Sequence, residues 1–88
     1  MKRYGRFSVD RKAIQNYELA AEIMRGMVVW RAEAMLHTDT VDYIAEHPSF
    51  DPVPPYEKAL EYRAGIVKDD GGVIWVSWKR VSETKPND

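Results

Sequence analysis

The stretch that decides the fold is HPSFDPVPPY, residues 47–56, which holds four of the five prolines in the chain. Proline has no backbone N–H and pushes the residue before it into extended geometry, so this stretch cannot supply a full ladder of strand hydrogen bonds. Apolar and polar residues alternate on both sides of it, as in half-buried strands. We therefore predict a stiff connector that joins two halves of one sheet. A proline-recognition peptide is the alternative, but PPY lacks the residue between proline and tyrosine that WW ligands need.

The segment before the connector has the pattern of a β-hairpin. Apolar residues alternate with polar or mixed residues over 28–36 and again over 41–46, and HTDT (37–40) lies between the two runs with turn-forming residues. A helix that continues to His37 is the alternative, since WRAEAML contains good helix formers.

The segment after the connector gives a stronger hairpin signal. LEYRAGIV (60–67) alternates, and the β-branched and aromatic run VIWVSWKRV follows at 73–81. Asp70, Gly71 and Gly72 lie between the two runs, and Asp-Gly between such runs is typical of a tight hairpin turn.

A helical period precedes both hairpins. Asp10 is placed to cap a helix, and Gly26 to end it in a left-handed conformation. Between them, apolar side chains recur at helical spacing, at Ile14, Tyr17, Ala21 and Met24. The spacing predicts an amphipathic helix of about four turns.

These elements predict an α+β fold, with an N-terminal amphipathic helix packed on an antiparallel sheet of about four strands. The length of 88 residues suits one domain, 1–88, with a basic arm at 1–8 and a tail at 82–88 that we expect to be loose. We expect the helix to cover the sheet face that carries Trp30 and Trp78.

Composition excludes several classes of function. The chain has no cysteine, which rules out disulfides, thiolate catalysis, cysteine-ligated zinc and iron–sulfur clusters. No apolar run approaches the roughly 20 residues of a membrane span, and the N-terminus lacks an apolar secretion signal. We therefore predict no membrane association and a cytoplasmic location.

The near-neutral net charge of −1 conceals an uneven distribution. Five of the first twelve residues are Lys or Arg, whereas the chain from Thr38 onward is acidic by about four charges. Duplex binding normally needs a basic face on the folded domain as well as a basic arm, and no such face is evident, so the sequence argues against a nucleic-acid partner.

The sequence contains no recognisable catalytic or metal-binding pattern. His37, Asp39, Asp42 and His47 match no established ligand spacing, and we interpret the two histidines as a turn residue and a loop-entry residue. There is no nucleophile elbow and no phosphate-binding glycine loop. We therefore predict a protein that is not an enzyme and uses neither metal nor cofactor.

The aromatic content points instead to an interaction surface. Three tryptophans and five tyrosines exceed what one small core can hide, and strand alternation places apolar side chains on the face that one helix leaves open. The candidate oligomer interface consists of Ile44, Val67, Val73 and Trp75. A homo-oligomer, most simply a two-fold dimer, is the expected state.

A resemblance bears on the biological role. The segment MVVWRAEAMLHTDTVDYIAEHPSFDPVPPYEKALEY, residues 27–62, resembles a group of small phage-encoded accessory proteins without assigned function. The resemblance implies expression in the cytoplasm of an infected bacterium and an accessory role; it carries over no catalytic residue.

Two kinds of stoichiometric binding fit such a protein. One is an oligomeric sponge that sequesters a nucleotide second messenger of anti-phage defence, which needs stacking rings and cations for phosphate. Its candidate ligand-binding residues are Arg31, Tyr56, Arg63, Trp75 and Lys79. The alternative is a protein–protein inhibitor of a host enzyme or regulator, favoured by the acidic C-terminal half if the target is basic.

Overall fold

Five strands and two short helices form the fold in the computed structural model, which describes residues 2–55 and 57–81. The elements are β1 (Tyr4–Asp10), α1 (Arg11–Gln15), α2 (Tyr17–Ile23), β2 (Val28–Met35), β3 (Thr40–Glu46), β4 (Leu60–Lys68) and β5 (Ile74–Arg80). Across the sheet the strands run in the order β2-β3-β1-β4-β5. β1 is antiparallel to β3 and parallel to β4. The predicted α+β class is confirmed, but the sheet is mixed and has five strands, so the four-stranded antiparallel sheet was wrong.

The N-terminal segment is the central strand of the sheet. Gly5, Phe7 and Val9 are buried on one face of β1, while the charged and polar residues between them are exposed. The prediction of a loose basic arm over 1–8 was therefore wrong from Tyr4 onward. Its basic residues mark the solvent face of a strand, and its apolar residues build the core. The predicted loose tail, 82–88, lies outside the described residues.

The predicted single helix is two short helices that follow β1. Asn16 interrupts the helical run, since its backbone is extended and its side chain accepts a hydrogen bond from the Leu19 amide at 3.2 Å. Asp10 makes no side-chain capping bond, so the predicted cap was wrong. Gly26 has a φ of 70°, as the predicted left-handed stop requires.

Both predicted hairpins are present. β2 pairs with β3 and β4 pairs with β5, each antiparallel, which confirms the strand reading of residues 28–35 over the helical alternative. The register of β2 shifts between Val29 and Arg31, as at a β-bulge. The shift reverses the side-chain phase, so Trp30 leaves the helix-covered face where alternation alone placed it.

The proline-rich connector crosses over β1, because β3 and β4 lie on opposite sides of that strand. The connector also contributes buried side chains and hydrogen bonds to the domain. Phe50 and Val53 are buried in the domain, the Val53 amide donates to the Lys2 carbonyl at 2.8 Å, and the Arg3 guanidinium donates to the Phe50 carbonyl at 3.0 Å. These contacts tie the connector to the two residues just before β1.

The core lies between the sheet and the layer formed by the two helices and the connector. Its buried members are Phe7, Val9, Ile23, Tyr43, Ala45, Phe50 and Tyr62. Half-buried Trp78 packs edge-on to Phe7, with ring centroids 4.7 Å apart. Burial raises the pKa of the Tyr43 hydroxyl, because the phenolate is poorly solvated there. The contact between Trp78 and the buried Phe7 ring places Trp78 on the helix-covered face, as predicted.

Gly5 is required by the close approach of β1 to β4. A Cβ atom at this position would lie 2.6 Å from Cε1 of Tyr62, which is buried and whose hydroxyl accepts the Asp51 amide at 2.7 Å. Since Tyr62 cannot move without losing that bond, Gly5→Ala should lower the free energy of unfolding by about 1 to 3 kcal/mol. Urea unfolding measures this loss. Gly71→Ala is the control, because its new Cβ would meet its nearest neighbour at 3.5 Å; equal stability losses in the two variants would contradict the packing.

Candidate functional site

Within residues 2–55 and 57–81, one face of the sheet carries no helix, and we call it the helix-free face. It carries the side chains of Tyr4, Arg6 and Ser8, which alternate along β1, and those of their register partners on the neighbouring strands. The face has three distinct regions, which differ in charge and in shape.

The first region is an aromatic cluster at the start of β1. The rings of Tyr4 and Trp30 stack with centroids 5.2 Å apart, and the Lys2 ammonium lies 5.4 Å from the Trp30 ring centroid. The Trp30 indole N–H donates to the Glu46 carboxylate at 2.7 Å. The Trp30 ring face toward β1 is covered by Tyr4 and the indole N–H is already bonded, so neither is available to a ligand.

The second region is a shallow central depression of about 190 Å³. Ile44 lies in it, and charged side chains surround Ile44 in pairs: Arg6 with Glu61 at 3.5 Å and Arg31 with Glu33 at 3.9 Å. Asp42 also lines it and accepts from the Ser8 hydroxyl at 2.6 Å. With three carboxylates against two guanidinium groups, this depression is a poor place for a phosphate.

The third region is the outer part of the β4–β5 hairpin. Arg63 pairs in register with Lys79, Gly65 with Ser77, and Val67 with Trp75. Two cations therefore lie at one end, an aliphatic and an aromatic side chain at the other, and two small residues between them. We call these six residues the hairpin cradle.

The floor of the hairpin cradle is flat because Gly65 has no side chain. A Cβ there would lie 2.8 Å from the Ser77 Oγ, which in the structure is 3.5 Å from the Gly65 carbonyl oxygen. Trp75, on the same face of β5 as Ser77, is 62% exposed. The cradle is thus an open aromatic surface next to a cationic end.

The charges of the hairpin cradle have no carboxylate partner among the described residues. In the part of the chain that the structure describes, neither Arg63 nor Lys79 is within ion-pair distance of a carboxylate. Glu61, the nearest carboxylate along β4 on the same face, is engaged by Arg6. An anion that reaches the cradle therefore meets two cations without first displacing any described carboxylate.

The structure brings together three of the five predicted ligand residues. Arg63, Trp75 and Lys79 share the hairpin cradle. Arg31 is on the same face but three strand spacings from β4, about 14 Å away, so it cannot share a small ligand with them within one chain. Tyr56 lies outside the described residues.

The predicted oligomer interface is divided in the same way. Val67 and Trp75 are register partners in the hairpin, and exposed Val73 directly precedes β5. Ile44 is on the helix-free face but lies in the central depression, separated from the hairpin residues by charged side chains. The four residues do not form one continuous apolar patch.

Sequence reasoning missed the floor of the hairpin cradle. Neither Gly65 nor Ser77 is a typical ligand-binding residue by itself. They lie opposite each other only because of the register of the hairpin. The turn at 69–73 determines this register: the Asp69 side chain accepts the Val73 amide at 2.8 Å, and Gly72 has a φ of 83°. A turn so fixed sets Gly65 opposite Ser77.

A wider groove of about 810 Å³ lies between α2 and β5, and Trp75 and Ser77 of the hairpin cradle are also among its lining residues. Tyr17, Glu18 and Glu22 line its helix side, and Trp78 and His47 line its strand side. Its charged lining mixes two carboxylates with the Arg25 guanidinium, which is bonded to Glu22 at 2.8 Å. The groove offers no free cation pair comparable with that of the hairpin cradle.

The described residues show no cluster of side chains suited to hold a metal ion. His37 lies in the turn between β2 and β3, and His47 follows β3 with its Nδ1 accepting the Ser49 amide at 3.0 Å, as the turn and loop-entry interpretations predict. Among the same residues, no helix has the length and apolar character to cross a membrane.

Comparison of the chain with family models, curated proteins and solved structures finds no match.

Proposed function

We propose that the protein is a non-enzymatic binding protein that sequesters a small anionic, aromatic ligand of the nucleotide class, and that the hairpin cradle is its binding site. One observation carries the proposal: two cations without a carboxylate partner among the described residues lie on the same hairpin face as an exposed tryptophan. Stacking on an aromatic ring and charge-assisted bonds to phosphate are the two interactions that nucleotide binding uses most.

The dimensions of the hairpin cradle suit such a ligand. Trp75 and Lys79 are four residues apart on one strand, about 13 Å between Cα atoms. The side chains of Lys79 and Arg63 are long and flexible enough to extend toward Trp75, so a base on Trp75 and a phosphate between the cations are compatible with one small molecule.

Charge selects the hairpin cradle over the central depression. Both regions contain two cations, but Glu33, Asp42 and Glu61 line the depression. Carboxylates repel a phosphate and already neutralise the guanidinium groups beside it. Arg31 is therefore excluded from the proposed site, although the sequence placed it among the ligand residues.

The biological setting in the proposal rests on the resemblance of residues 27–62 to phage-encoded accessory proteins. In that setting the protein is a sponge in the cytoplasm of an infected bacterium, where it removes a nucleotide second messenger of anti-phage defence by stoichiometric binding. Such a role needs affinity and abundance but no bond-making step.

A protein–protein inhibitor is the second candidate, and a different feature of the hairpin favours it. Val67, Val73 and Trp75 are large apolar residues, each more than half exposed, and they cluster toward the tip of one hairpin. Contiguous exposed apolar surface marks protein contacts. A host protein bound there would use the apolar tip and would not require Arg63 or Lys79.

Native mass spectrometry separates the two candidates. Protein purified from bacteria that produce cyclic nucleotides should carry an added mass equal to one of them, and the Arg63→Glu/Lys79→Glu variant from the same cells should carry none. The charge reversal removes both phosphate contacts but leaves the apolar tip in place. Wild-type protein free of nucleotide, from cells shown to contain it, would reject the sponge and favour the inhibitor.

A further inference from the structure

The backbone groups on the outer edge of β5 have no partner among the described residues. β5 is an edge strand, and no described residue pairs on its outer side. The Val81 amide donates to the Glu61 carbonyl at 2.9 Å and the Asp69 amide to the Val73 carbonyl at 3.0 Å, which fixes the phase of the β4–β5 ladder. Odd-numbered residues of β5 therefore bond to β4, and the N–H and C=O groups of even-numbered residues point outward.

The two edges of the sheet differ in how they resist pairing. β2, at the opposite edge, has a bulge between Val29 and Arg31 and charged side chains at Arg31 and Glu33. Bulges and charges are the usual means by which proteins protect an edge. β5 has neither over Ile74–Trp78, a run of five residues without a charge and rich in β-branched and aromatic side chains.

We infer that β5 is a self-association edge, where a second copy of this chain pairs antiparallel to form a continuous ten-stranded sheet. The midpoint of Ile74–Arg80 is Ser77, so centring the two-fold axis on Ser77 pairs the whole strand. The outward-pointing residues then meet one another, with Val76 opposite Trp78 of the second copy, and about eight backbone hydrogen bonds form.

Side-chain chemistry supports a second copy as the occupant. On the helix-free face this register sets Lys79 opposite Trp75 of the second copy, and a lysine against an indole ring is a favourable cation–π pair. A symmetric register centred on Lys79 instead sets that lysine against itself and pairs about half the strand. The strand is thus complementary to itself in one full-length register.

The dimer joins the two hairpin cradles into one trough. Gly65 and Ser77 of both copies form the floor, and each wall combines the Trp75 ring of one copy with the Lys79 and Arg63 cations of the other. This part of the inference rests on the proposed function, and it defines the ligand further: a two-fold symmetric cyclic dinucleotide matches a two-fold site with two rings and two cation pairs, at one ligand per dimer.

Cysteine crosslinking tests the edge directly, because the natural chain contains no cysteine. Ser77→Cys places two thiols on the two-fold axis at a non-hydrogen-bonded pair, with Cα atoms about 4.5 Å apart, within the range of a disulfide. Mild oxidation should convert most of this variant to a disulfide dimer on a non-reducing gel. Thr38→Cys, in the exposed turn between β2 and β3, is the control and should stay monomeric; equal crosslinking of the two variants would overturn the inference.

A proline pair provides a second test by light scattering. Val76→Pro removes an outward-pointing N–H from β5 and leaves the hydrogen bonds to β4 intact. Ala34→Pro is the matched change on β2. Glu33 and Met35 form the hydrogen bonds to β3, because their β3 partners do not bond β1, so the Ala34 N–H points outward. Wild type and Ala34→Pro should show about 20 kDa, twice the chain mass of 10.2 kDa, and Val76→Pro should show the chain mass. A wild-type monomer, or a folded Val76→Pro dimer, would reject the edge.

The two proposals fail in different ways. A wild-type dimer by light scattering that binds no cyclic nucleotide retains the edge and rejects the binding function. A wild-type monomer that binds one nucleotide per chain retains the function and rejects the edge. Titration of wild type with a cyclic dinucleotide should give a stoichiometry of one per two chains.

Discussion

Replacing Phe50 with alanine should lower the free energy of unfolding by about 3 to 5 kcal/mol, because its ring is fully buried and little can collapse into the space it leaves. Its centroid lies 4.2 Å from that of Tyr62 in a stacked arrangement and 5.3 Å from that of Trp78 edge-on. A small domain has only about 5 to 15 kcal/mol of stability in total, so a substantial part of it depends on this one connector side chain.

Urea unfolding of Phe50→Ala measures the loss, and Leu36→Ala is its control. Leu36 is 92% exposed in the turn after β2, so its truncation should change stability by less than about 0.5 kcal/mol. Should Phe50→Ala prove as stable as Leu36→Ala, the connector would not pack into the core as described.

Local signals were sufficient to predict the two hairpins. The alternation over β2 to β5 and the Asp70-Gly71-Gly72 turn each concern residues close in the chain, where pattern and pairing coincide. The order of the strands in the sheet could not be predicted from local signals. β1 pairs with β3 and β4, which are distant in sequence, and no local pattern specifies which edge a distant strand joins.

β1 itself was missed for a physical reason that its residues show. Gly5, Phe7 and Val9 alternate, but Gly5 carries no apolar side chain, and Arg3 and Arg6 interrupt the apolar residues. The charged residues were interpreted as a solvated arm, whereas they occupy the exposed positions of a half-buried strand. The helix was misread at Asn16 for a related reason, since a cap inside an apolar stripe leaves the helical spacing almost unchanged.

Part of the candidate site was also predictable. Arg63, Trp75 and Lys79 share one hairpin, so alternation and a fixed turn were enough to group them. Arg31 required knowledge of the strand order, which places two strands between β2 and β4. The bulge after Val29 likewise decided the side of Trp30, and a bulge has no reliable signature in a single sequence.

Reversing both cradle charges should reduce nucleotide affinity at least 100-fold. Each hydrogen bond to a charged group contributes about 1.5 to 3 kcal/mol, so losing two contacts exceeds the 2.7 kcal/mol that a 100-fold change represents. The Arg63→Glu/Lys79→Glu variant should therefore bind no member of a cyclic-nucleotide panel in equilibrium dialysis.

Two controls accompany this variant. Lys12→Glu/Lys58→Glu changes the net charge by the same amount at exposed positions away from the cradle, and it should bind as wild type does. Arg31→Ala should also bind normally, because Arg31 lies in the central depression. Similar losses in the cradle variant and the Lys12/Lys58 variant would show a general charge effect and no specific site.

The melting temperature of the wild-type protein against a panel of cyclic dinucleotides, cyclic trinucleotides and cyclic ADP-ribose isomers tests nucleotide capture most directly. A ligand at one hundred times its dissociation constant adds about 2.7 kcal/mol to stability, which raises the melting temperature of a domain this size by roughly 10 to 20 °C. We predict such a rise for at least one member of the panel. A melting temperature that stays unchanged for every member at about 1 mM, one hundred times a 10 μM dissociation constant, would contradict nucleotide capture.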